Sequence, residues 1–547
     1  MDWIDYRQLP LTAGGFSELF FDYVNDFKEV RQFYRHNFRD IGSFDSVMKS
    51  IDATAIDRQT LVLALDDQNR NFGSSPKTFE NISLLGERST YAVVTGQQVG
   101  LLGGPLYTLL KTITTIKLAE QLRARFPRHR FVPVFWIEGE DHDFAEMNNT
   151  SFLDTDNKPV KIEYLPGGEM PERNLGPIGE LTFDAALAQT YIQMESVLQT
   201  TEFTDSLLRK LQACYAQGKT FNRAFVAWMN ILFEDDGLVF ISSNDPRLKR
   251  LLSPLFTREV SEYPKISQMV ITQSAELEKN YHAQVKAKSI NLFLFHKGGR
   301  YLIEPREHDF SLKGTRHFLQ KDELLKIAQE TPELLSTNVI LRPVAQDTLL
   351  PTVAYVGGPS EIAYHAQLGP IYDYTGVVQP VIYPRASCTL IEERLRKTME
   401  KYSLELMMFF GDINKLTSHV LEQIADVRLD AIFTNTGKHV NEALNELKFG
   451  LKEIDPTLLG ALDGVASKID SHLTNLKEKS VVAQKRKNEI AVRQLEKSAR
   501  SVLPNGNLQE REVNVVHYMN RHGFDIVKWM ASQIDINGFK HQLLPLR

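Results

Sequence analysis

The sequence is poor in cysteine and has no long hydrophobic run. Only Cys214 and Cys388 occur among 547 residues, far apart and without a Cys-x-x-Cys pair. This excludes a Cys-rich zinc site and argues against a disulfide framework. No segment approaches the ~18 consecutive apolar residues of a membrane span. The first residues, MDWIDYRQLP, have neither the basic start nor the apolar centre of a signal peptide. We therefore expect a cytoplasmic protein that does not enter the membrane.

The sequence also lacks an excess of positive charge. Its formal net charge is −6 and its pI is about 6.2, so composition gives no electrostatic case for nucleic-acid binding. The lysines and arginine at 477–487 are interleaved with Glu478 and followed by Glu489 and Glu496, a pattern that is typical of a solvated helix face. Hydrophobic content of 42% and charged content of 24% indicate a globular protein. The length corresponds to roughly three or four units of ~150 residues.

The most informative segment is a strand–helix–strand pattern between Tyr91 and Asn148. The apolar strand in YAVVTGQQVGLLGGPLYTLLK leads into a glycine-rich loop, and Pro105 opens a helix. A second apolar strand, in FVPVFWIEGEDHDFAEMN, ends in five carboxylates around one histidine. In open α/β sheets ligands bind at the carboxyl ends of the strands. This unit therefore predicts where the functional site lies.

Short apolar strands continue to alternate with helical stretches further along the chain. VAYVGGPSE (353–361) repeats the order of strand, Gly-Gly-Pro and helix. GLVFIS (237–242) and VVQPVIYPR (377–385) have the composition of buried strands, and NLFLFHKGGRYLIE (291–304) has that of a β-hairpin. This alternation predicts an α/β protein with a parallel sheet.

After residue 387 helix-forming residues dominate as far as residue 503. A break at Asp455-Pro456 separates two helical stretches, and in the second one apolar residues recur every seven positions, namely Leu462, Ile469, Leu476, Ala483 and Ile490. This predicts a helical hairpin with coiled-coil character, whose second helix would be roughly 70 Å long. A polar pair of that length either projects or pairs with another subunit, most simply as a homodimer. Residues 504–547 are apolar enough to return to the core.

The first group of candidate site residues follows the first strand. Backbone N–H groups of a glycine loop and a helix N-terminus can hold an anion. The loop matches neither GxGxxG nor GxxxxGK[ST], and a tight turn that serves packing is an equal alternative. The adjacent glutamines favour a ligand. The candidate substrate- or nucleotide-binding residues here are Thr95, Gly96, Gln97, Gln98, Gly103, Gly104, Pro105, Tyr107 and Lys111.

The second group is the acidic cluster from Glu138 to Glu146. Like charges raise one another's pKa, and His142 among them should be held more cationic. The cluster suits acid–base work on an amine or coordination of Mg²⁺, whereas zinc is disfavoured by the single histidine. A solvated loop is the alternative, but the apolar run containing Trp136, itself a candidate binding residue, favours a strand end inside a cleft. The candidate catalytic residues are Glu140, Asp141, His142 and Asp143, and no metal ligand is assigned.

The third group lies in the last strands and helices before residue 387. Arg342 could hold a carboxylate through two hydrogen bonds, and Ser360 could instead cap a helix. Packing and ligand binding are equal alternatives for most of the group. Cys388 is disfavoured as a nucleophile because only Arg385 nearby would lower its pKa. The candidate binding residues are Arg342, Gln346, Asp347, Tyr355, Gly358, Ser360, Glu361, Tyr364, Arg385 and Ser387.

Four sequence blocks carry a resemblance to a known family. TGQQVGLLGGPLYTLLK, PVFWIEGEDHDFAEMN, LRPVAQDTLLPTVAYVGGPSEIAYHAQL and PRAS together resemble the cysteine ligases of bacillithiol biosynthesis, the BshC family. The resemblance covers nearly the whole chain. It implies a Rossmann-like core related to class I aminoacyl-tRNA synthetases and other nucleotidyltransferases, spanning 1–386, with N-terminal helices and connecting-peptide insertions near 150–220 and 250–335. It also implies that the helical segment 387–503 is an antiparallel coiled coil that makes a dimer.

The reaction implied by the resemblance joins cysteine to the amine of glucosaminyl-malate, the last step of bacillithiol biosynthesis. An amide formed from a free carboxylate needs that carboxylate activated, so we expect ATP or ADP and Mg²⁺ to bind. Neither a HIGH-type nor a KMSKS-type signature is present, which weakens transfer of synthetase chemistry. The loop 97–105 would hold phosphate or the sugar–malate substrate, and Arg342 or Arg385 a carboxylate. His142, with Asp141 or Asp143, would take the amine proton.

Two alternatives to the ligase remain open from the sequence. A nucleotide-binding dimer that regulates without catalysis would bind nucleotide and never consume it. A metal-dependent nucleotidyltransferase or hydrolase would use the acidic cluster at 138–146 and would lose its activity with a chelator.

Overall fold

The computed structural model describes residues 2–10, 15–424 and 428–546. The chain divides into two compact units. The first consists of Met1–Thr389 and Asn507–Leu544, and the second of Leu390–Gly506 and Pro545–Arg547. The candidate site residues from all three groups belong to the first unit. No helix in the described ranges is both long enough and apolar enough to cross a bilayer.

The strands lie almost entirely in the first unit. In chain order they are β1 (Asp2–Ile4), β2 (Thr90–Gln98), β3 (Arg130–Glu138), β4 (Asn149–Leu153), β5 (Pro159–Glu163), β6 (Val239–Ser242), β7 (Leu292–His296), β8 (Gly299–Pro305), β9 (Phe310–Leu312), β10 (Phe318–Leu319), β11 (Leu335–Thr337), β12 (Thr352–Gly357), β13 (Val381–Pro384), β14 (Ser387–Ile391) and β15 (His541–Pro545).

The helices of the first unit flank these strands. They are α1 (Glu18–Asn25), α2 (Phe27–Val30), α3 (Ile41–Asp52), α4 (Arg58–Phe72), α5 (Pro76–Leu85), α6 (Leu106–Arg125), α7 (Phe144–Met147), α8 (Leu187–Val197), α9 (Thr204–Cys214), α10 (Phe221–Leu232), α11 (Pro246–Ser261), α12 (Lys265–Leu277), α13 (Lys321–Glu330), α14 (Arg342–Leu349), α15 (Pro359–His365) and α16 (Gly369–Thr375).

A five-stranded parallel sheet, in the order β13-β12-β2-β3-β6, forms the centre of the first unit. The predicted α/β architecture and its predicted strands are therefore confirmed. The strands are apolar on both faces because helices cover both sides of a parallel sheet. In the pairing of β2 with β3, Gln98 lies opposite Glu138. The polar residues that end both strands thus meet at one edge of the sheet.

Helix α6 packs against β2 and β3 and is buried along most of its length. It tolerates buried threonines because their hydroxyls donate back to backbone carbonyls one turn earlier. Thr112 donates to the oxygen of Thr108 at 3.0 Å, and Thr114 to that of Leu110 at 2.7 Å. The same buried helix also carries Lys111, whose side chain is fully buried below the end of the sheet.

Further elements surround the central sheet within the first unit. Between β3 and β6 lie the antiparallel pair β4–β5 and helices α7 to α10. Between β6 and β12 lie α11 to α14 and an antiparallel sheet in the order β10-β9-β8-β7-β11. The predicted hairpin at 291–304 is confirmed as β7 and β8.

The end of the chain contributes further elements to the first unit. They are α22 (Gln509–Glu512), α23 (Val515–His522), α24 (Asp525–Gln533) and β15. Strand β15 pairs antiparallel with β1.

The second unit is helical, with α17 (Glu393–Tyr402), α18 (Ile413–Ile424), α19 (Leu429–Ile454), α20 (Leu459–Lys487) and α21 (Glu489–Val502). Helices α19 and α20 pack together as the predicted hairpin. The prediction of one second helix about 70 Å long is wrong, because the helix ends at Asn488, which adopts a non-helical conformation. The 29 residues of α20 extend about 43 Å at 1.5 Å per residue.

Candidate active site

A cavity of about 540 Å³ opens at the carboxyl-terminal edge of the parallel sheet. Its walls come from β2, α6, β3, the acidic loop, the hairpin region and the β12–α15 turn. The lining residues are Gly96, Gln97, Gln98, Tyr107, Lys111, Trp136, Glu138, Asp141, His142, Lys286, Lys288, Phe293, Arg300, Leu302, Thr337, Asn338, Val339, Arg342, Tyr355, Gly358, Pro359, Ser360, Glu361, Tyr364, Arg385 and Arg511.

The cavity wall is positively charged although the protein carries a net charge of −6. Seven lysine and arginine side chains line it against three carboxylates. Lys286 and Lys288 are exposed, whereas Lys111, Arg300 and Arg385 are buried. Such a wall favours an anionic ligand, because the low-dielectric surroundings strengthen each attraction.

Lys111 and Glu361 form a buried ion pair at the base of the cavity. The Lys111 Nζ lies 2.7 Å from Glu361 Oε2 and also donates to the oxygen of Gly96 at 2.5 Å and to Gln97 Oε1 at 3.3 Å. Burial lowers the pKa of Lys111, and the Glu361 carboxylate opposes this shift. Since three acceptors take its three N–H bonds, Lys111 organises the cavity from behind and has no donor left for a phosphate.

Glu361 is held by more than this lysine. Burial alone would raise its pKa, but the Lys111 ammonium and the donors around it keep that pKa below its usual range. Tyr355 donates its hydroxyl to Oε1 at 2.5 Å, and the Gly358 N–H donates to Oε2 at 2.7 Å. Glu361 is therefore a charged structural anchor of the β12–α15 turn.

The acidic loop after β3 is fixed by hydrogen bonds to neighbouring elements. Gln98 donates its amide to Asp141 Oδ2 at 2.7 Å and to Glu146 Oε2 at 2.6 Å. The backbone oxygen of Asp141 accepts from the N–H of Ile178, and that of Gly139 accepts from Gly179. The glutamine therefore positions the acidic loop, and the loop is not freely solvated.

His142 lies on the cavity wall, and its environment contradicts the prediction that it is held cationic. Its Nδ1 lies 3.1 Å from the Arg300 guanidinium, which stacks on the ring of Phe293 at 3.9 Å. Burial, and then Arg300, lower the pKa of His142 more than Asp141 and Asp143 raise it. The prediction was wrong because Arg300 comes from β8, which is distant from His142 in the sequence.

Two of the four candidate catalytic residues do not line the cavity. Glu140 is buried and forms an ion pair with Lys249, whose ammonium also donates to the oxygen of Leu335 at 2.6 Å. Asp143 is exposed and precedes α7. Of the predicted set, only Asp141 and His142 reach the cavity.

Glu138, the last residue of β3, does line the cavity. The indole N–H of Trp136 donates to its Oε2 at 3.1 Å. Burial raises the pKa of Glu138 to about 6, against the opposing influence of Arg342. The sequence marked Glu138 as part of the acidic cluster but did not distinguish it from its neighbours.

The glycine-rich loop after β2 is mostly turned away from the cavity. The N–H of Gly103 is bonded to the Gly100 oxygen and the Tyr215 hydroxyl, and that of Gly104 to the Leu101 oxygen. Neither glycine, nor Pro105, nor Thr95 lines the cavity, and the Thr95 hydroxyl donates to the Val356 oxygen at 2.9 Å. The residues of the first group that reach it are Gly96, Gln97, Gln98, Tyr107 and Lys111.

Most of the third group surrounds Arg342. This half-buried guanidinium donates to Gln346 Oε1 at 3.0 Å and to the Tyr364 hydroxyl at 3.2 Å, and it lies over the Tyr355 ring. Among the described residues no carboxylate lies within ion-pair distance of it. Gln346 and Asp347 lie behind the wall, and Gln346 donates to Asp347 at 2.9 Å. Arg342 thus presents an uncompensated positive charge to the cavity.

Arg385 is compensated inside the protein. Its guanidinium donates to Glu510 Oε1 at 2.7 Å, while Ser387 and the Cys388 N–H donate to Glu510 Oε2. Ser387 also lies 2.7 Å from His541 Nδ1 and does not line the cavity. Burial raises the pKa of Cys388 well above its usual range, which is unlike an activated nucleophile.

Four basic residues of the wall were not predicted from the sequence. Lys286 and Lys288 come from the segment between α12 and β7, Arg300 from β8, and Arg511 from α22. The only feature that could have indicated Arg300 is its place beside the Gly-Gly turn of the hairpin. These segments reach the cavity through tertiary packing alone.

No group of three or more histidine, cysteine or acidic side chains in the described ranges is arranged to hold a metal ion. Mg²⁺ is usually held by one or two carboxylates together with substrate phosphates.

Two family models match the chain in succession. "Bacillithiol biosynthesis BshC, N-terminal Rossmann-like domain" matches residues 4–386, and "Bacillithiol biosynthesis BshC, C-terminal coiled-coil domain" matches 388–546. A crystal structure of a putative arginyl-tRNA synthetase from Campylobacter jejuni covers 78% of this chain and 96% of its own at 11% identity. Its TM-score of 0.20 is too low to support an argument.

Curated relatives match over nearly their whole lengths. "Putative cysteine ligase BshC" of Salinibacter ruber is 36% identical over 542 residues, and the match covers 98% of each chain. The proteins of the same name from Chloroherpeton thalassium and Chlorobaculum tepidum are 36% and 34% identical, covering 98% and 96% of each chain. The parallel sheet and the helical hairpin agree with the two matched domains. The chain belongs to the BshC family.

Proposed function

We propose that the protein is a ligase that joins cysteine to the amine of glucosaminyl-malate in the cavity at the end of the parallel sheet. The family supports the reaction, since curated relatives over the full length are named cysteine ligases. The observation that carries the proposal is the positive cavity wall, in which Arg342 has no carboxylate partner among the described residues. The malate carboxylates of the substrate complement this charge.

The chemistry requires an activated cysteine, because a free carboxylate has no adequate leaving group. With MgATP as co-substrate, the cysteine carboxylate attacks the γ-phosphorus and displaces ADP to give an acyl phosphate, or attacks the α-phosphorus and displaces pyrophosphate to give an acyl adenylate. The substrate amine then attacks the acyl carbon. A C–N bond forms, the bond between the acyl carbon and the phosphorylated oxygen breaks, and the departing phosphate or AMP takes the electron pair. The amine gives its proton to a base on the wall.

Three parts of the wall have distinct tasks in this proposal. Arg342 holds a malate carboxylate through its guanidinium. The exposed Lys286 and Lys288 attract the anionic substrates to the mouth. Tyr107, which is only partly buried, gives the sugar ring apolar surface to lie against. Arg385 shapes the wall with its charge already balanced by Glu510, so it is a weaker candidate than Arg342 for substrate carboxylates.

The helical hairpin of the second unit is proposed to pair with a second copy of the chain. Large apolar side chains remain exposed on it and on the helix that follows, with Phe449 77% and Leu476 55% exposed on the hairpin and Ile490 76% exposed in α21. Leu476 and Ile490 belong to the heptad series that favours a coiled coil. A homodimer in the cytoplasm, without a nucleic-acid partner, is the assembly we propose. The molar mass of the protein in solution, measured by light scattering, tests this assembly, and we expect twice the 62.4 kDa of one chain.

The function is tested by mass spectrometry of the purified protein with cysteine, glucosaminyl-malate, ATP and Mg²⁺. Product with the mass of bacillithiol, formed in the complete mixture and absent when any one component is omitted, is the expected result. Nucleotide that binds and is never consumed would favour the regulatory alternative. Nucleotide hydrolysis that needs no cysteine and stops with chelator would favour the metal-dependent hydrolase.

A further inference from the structure

The three carboxylates that line the cavity differ in how many of their oxygens the protein already uses. Both oxygens of Glu361 accept hydrogen bonds, from Tyr355 and from Gly358 with Lys111. Both oxygens of Asp141 also accept, Oδ2 from Gln98 and Oδ1 from the backbone N–H of His142. These two carboxylates have fixed structural partners.

Glu138 is different, because only one of its oxygens is used. Trp136 donates to Oε2, whereas Oε1 has no hydrogen-bond partner among the described residues. Glu138 also forms no ion pair with them, although Arg342 and Arg300 are near enough to influence it electrostatically. A base must have a free lone pair, a position on the cavity and a pKa near the working pH. Glu138 satisfies the first two by geometry, and burial gives it a pKa of about 6.

His142, the expected base, has a different arrangement. A guanidinium can only donate, so the hydrogen bond between Arg300 and His142 uses the Nδ1 lone pair of the imidazole. A neutral imidazole has one lone pair, and its other nitrogen, Nε2, therefore carries the proton. Arg300 is itself fixed by hydrogen bonds to Ser336 and to the Thr337 oxygen. The imidazole is thus held as a donor of the Nε2–H.

We infer that Glu138 is the general base of amide formation and that Arg300 holds His142 as a hydrogen-bond donor to the reacting groups. The inference rests on the proposed function and assigns its proton transfer. The amine nitrogen attacks the acyl carbon, and its N–H proton passes to Glu138 Oε1. The Nε2–H of His142 stabilises the negative charge that develops on the acyl oxygen or the departing phosphate.

The test compares Glu138→Gln with wild type in the bacillithiol-forming mixture. Glutamine has the same shape and can still accept from Trp136, but it cannot take a proton. We expect kcat to fall about 100-fold or more, the range of a lost general base, with KM for glucosaminyl-malate changed less than about threefold. Glu195→Gln, on the exposed side of α8, is the matched control and should keep wild-type turnover.

The pH profile gives a readout that a merely structural role would not change. Because the base must be ionised, wild-type kcat should rise with pH through the pKa of Glu138, and this dependence should vanish in Glu138→Gln. The charged groups that act on Glu138 include Arg342 from α14, Arg300 from β8, Lys249 from α11, and Glu140 and Asp141 from its own loop. Neither acid in this group is an alternative base, because Glu140 does not line the cavity and both oxygens of Asp141 already accept hydrogen bonds.

The two roles of the histidine are separated by a pair of variants. His142→Gln keeps an N–H donor and should retain most of the turnover, whereas His142→Ala should lose about tenfold or more. If both histidine variants lose 100-fold and Glu138→Gln remains within threefold of wild type, our assignment is overturned. If wild type itself forms no product in the complete mixture, the proposed function fails, and the base assignment fails with it.

Discussion

Two turns with the same Gly-Gly-Pro sequence connect a strand to a helix at one edge of the sheet, and they have different tasks. In the turn before α6, Gly103 and Gly104 have φ values of +90° and +73°, and their N–H groups are bonded within the protein. Asn514 donates to the oxygens of Leu102 and Gly104, so the turn is fastened to the end of the chain. This turn does not line the cavity.

The turn between β12 and α15 is part of the cavity wall. Gly358, Pro359 and Ser360 line it, and Gly358 has an ordinary φ of −80°. Lys111 of α6 extends below the cavity to Glu361 in this turn. One turn therefore anchors the helix that carries the lysine, and the other presents surface to the ligand. A glycine-rich turn after a strand is compatible with either task, and the hydrogen-bond partners of its N–H groups distinguish them.

The largest expected effect comes from breaking the ion pair between Lys111 of α6 and Glu361 of α15. Lys111→Met leaves the Glu361 carboxylate without its cation and should lower the free energy of unfolding by about 3–5 kcal/mol. Urea denaturation measures the change. The double variant Lys111→Met with Glu361→Gln removes both charges and should recover part of the loss. A double variant less stable than the single one would show that the pair is not the main contribution.

The second largest effect is expected from Asn514, which fastens the turn at Gly103 and Gly104, called here the anchoring turn. Asn514→Ala leaves two buried carbonyls without their donor and removes the side chain that caps α23, so we expect a loss of about 2–4 kcal/mol. Thermal and urea unfolding at one protein concentration measure it. If the variant unfolds like wild type, the turn is held by contacts other than Asn514.

Gly103→Ala tests the left-handed backbone of the anchoring turn. A Cβ at this position would lie 3.0 Å from the ring of Trp228, and alanine is strained at a φ of +90°. We expect a loss of about 1–3 kcal/mol with little change in KM of the folded enzyme. A variant with normal stability and a raised KM would instead place this turn in the substrate site.

Gly358→Ala is the matched change in the turn that lines the cavity and should have the smallest effect on stability. Its Cβ would lie 3.4 Å from Arg385 Nε and from Glu361 Oε2, without backbone strain. We expect unfolding within about 1 kcal/mol of wild type and a raised KM for glucosaminyl-malate, because the methyl group narrows the cavity. Urea denaturation measures the free energy of unfolding, and steady-state kinetics measure the KM. Unchanged kinetics would remove this turn from the site.

The fold could be predicted because its signals are local. The apolar runs of β2, β3, β12 and β13 are separated by helical stretches, which leaves a parallel sheet as the simplest arrangement. The carboxyl ends of parallel strands meet at one edge, so the polar residues that follow β2 and β3 were expected together. The break of the second hairpin helix at Asn488 was missed because no proline or glycine marks it.

The chemistry of the site was harder to predict, because tertiary contacts decide it. His142 looks cationic among carboxylates in the sequence, but Arg300, 158 residues later, reverses this. Glu140 looks catalytic but is neutralised by Lys249. Glu138 and Glu140 lie two residues apart in one acidic cluster, so the sequence gives no reason to choose between them. Only the fold shows that Glu140 is paired with Lys249 and that Glu138 Oε1 has no partner among the described residues.

The most direct test of the account is a crystal structure of the protein with glucosaminyl-malate bound. We expect the sugar amine within about 3.2 Å of Glu138 Oε1, the distance of a proton transfer, and a malate carboxylate on Arg342. Substrate bound outside this cavity, or inside it with the amine directed away from Glu138 in a protein that forms bacillithiol, would contradict the account.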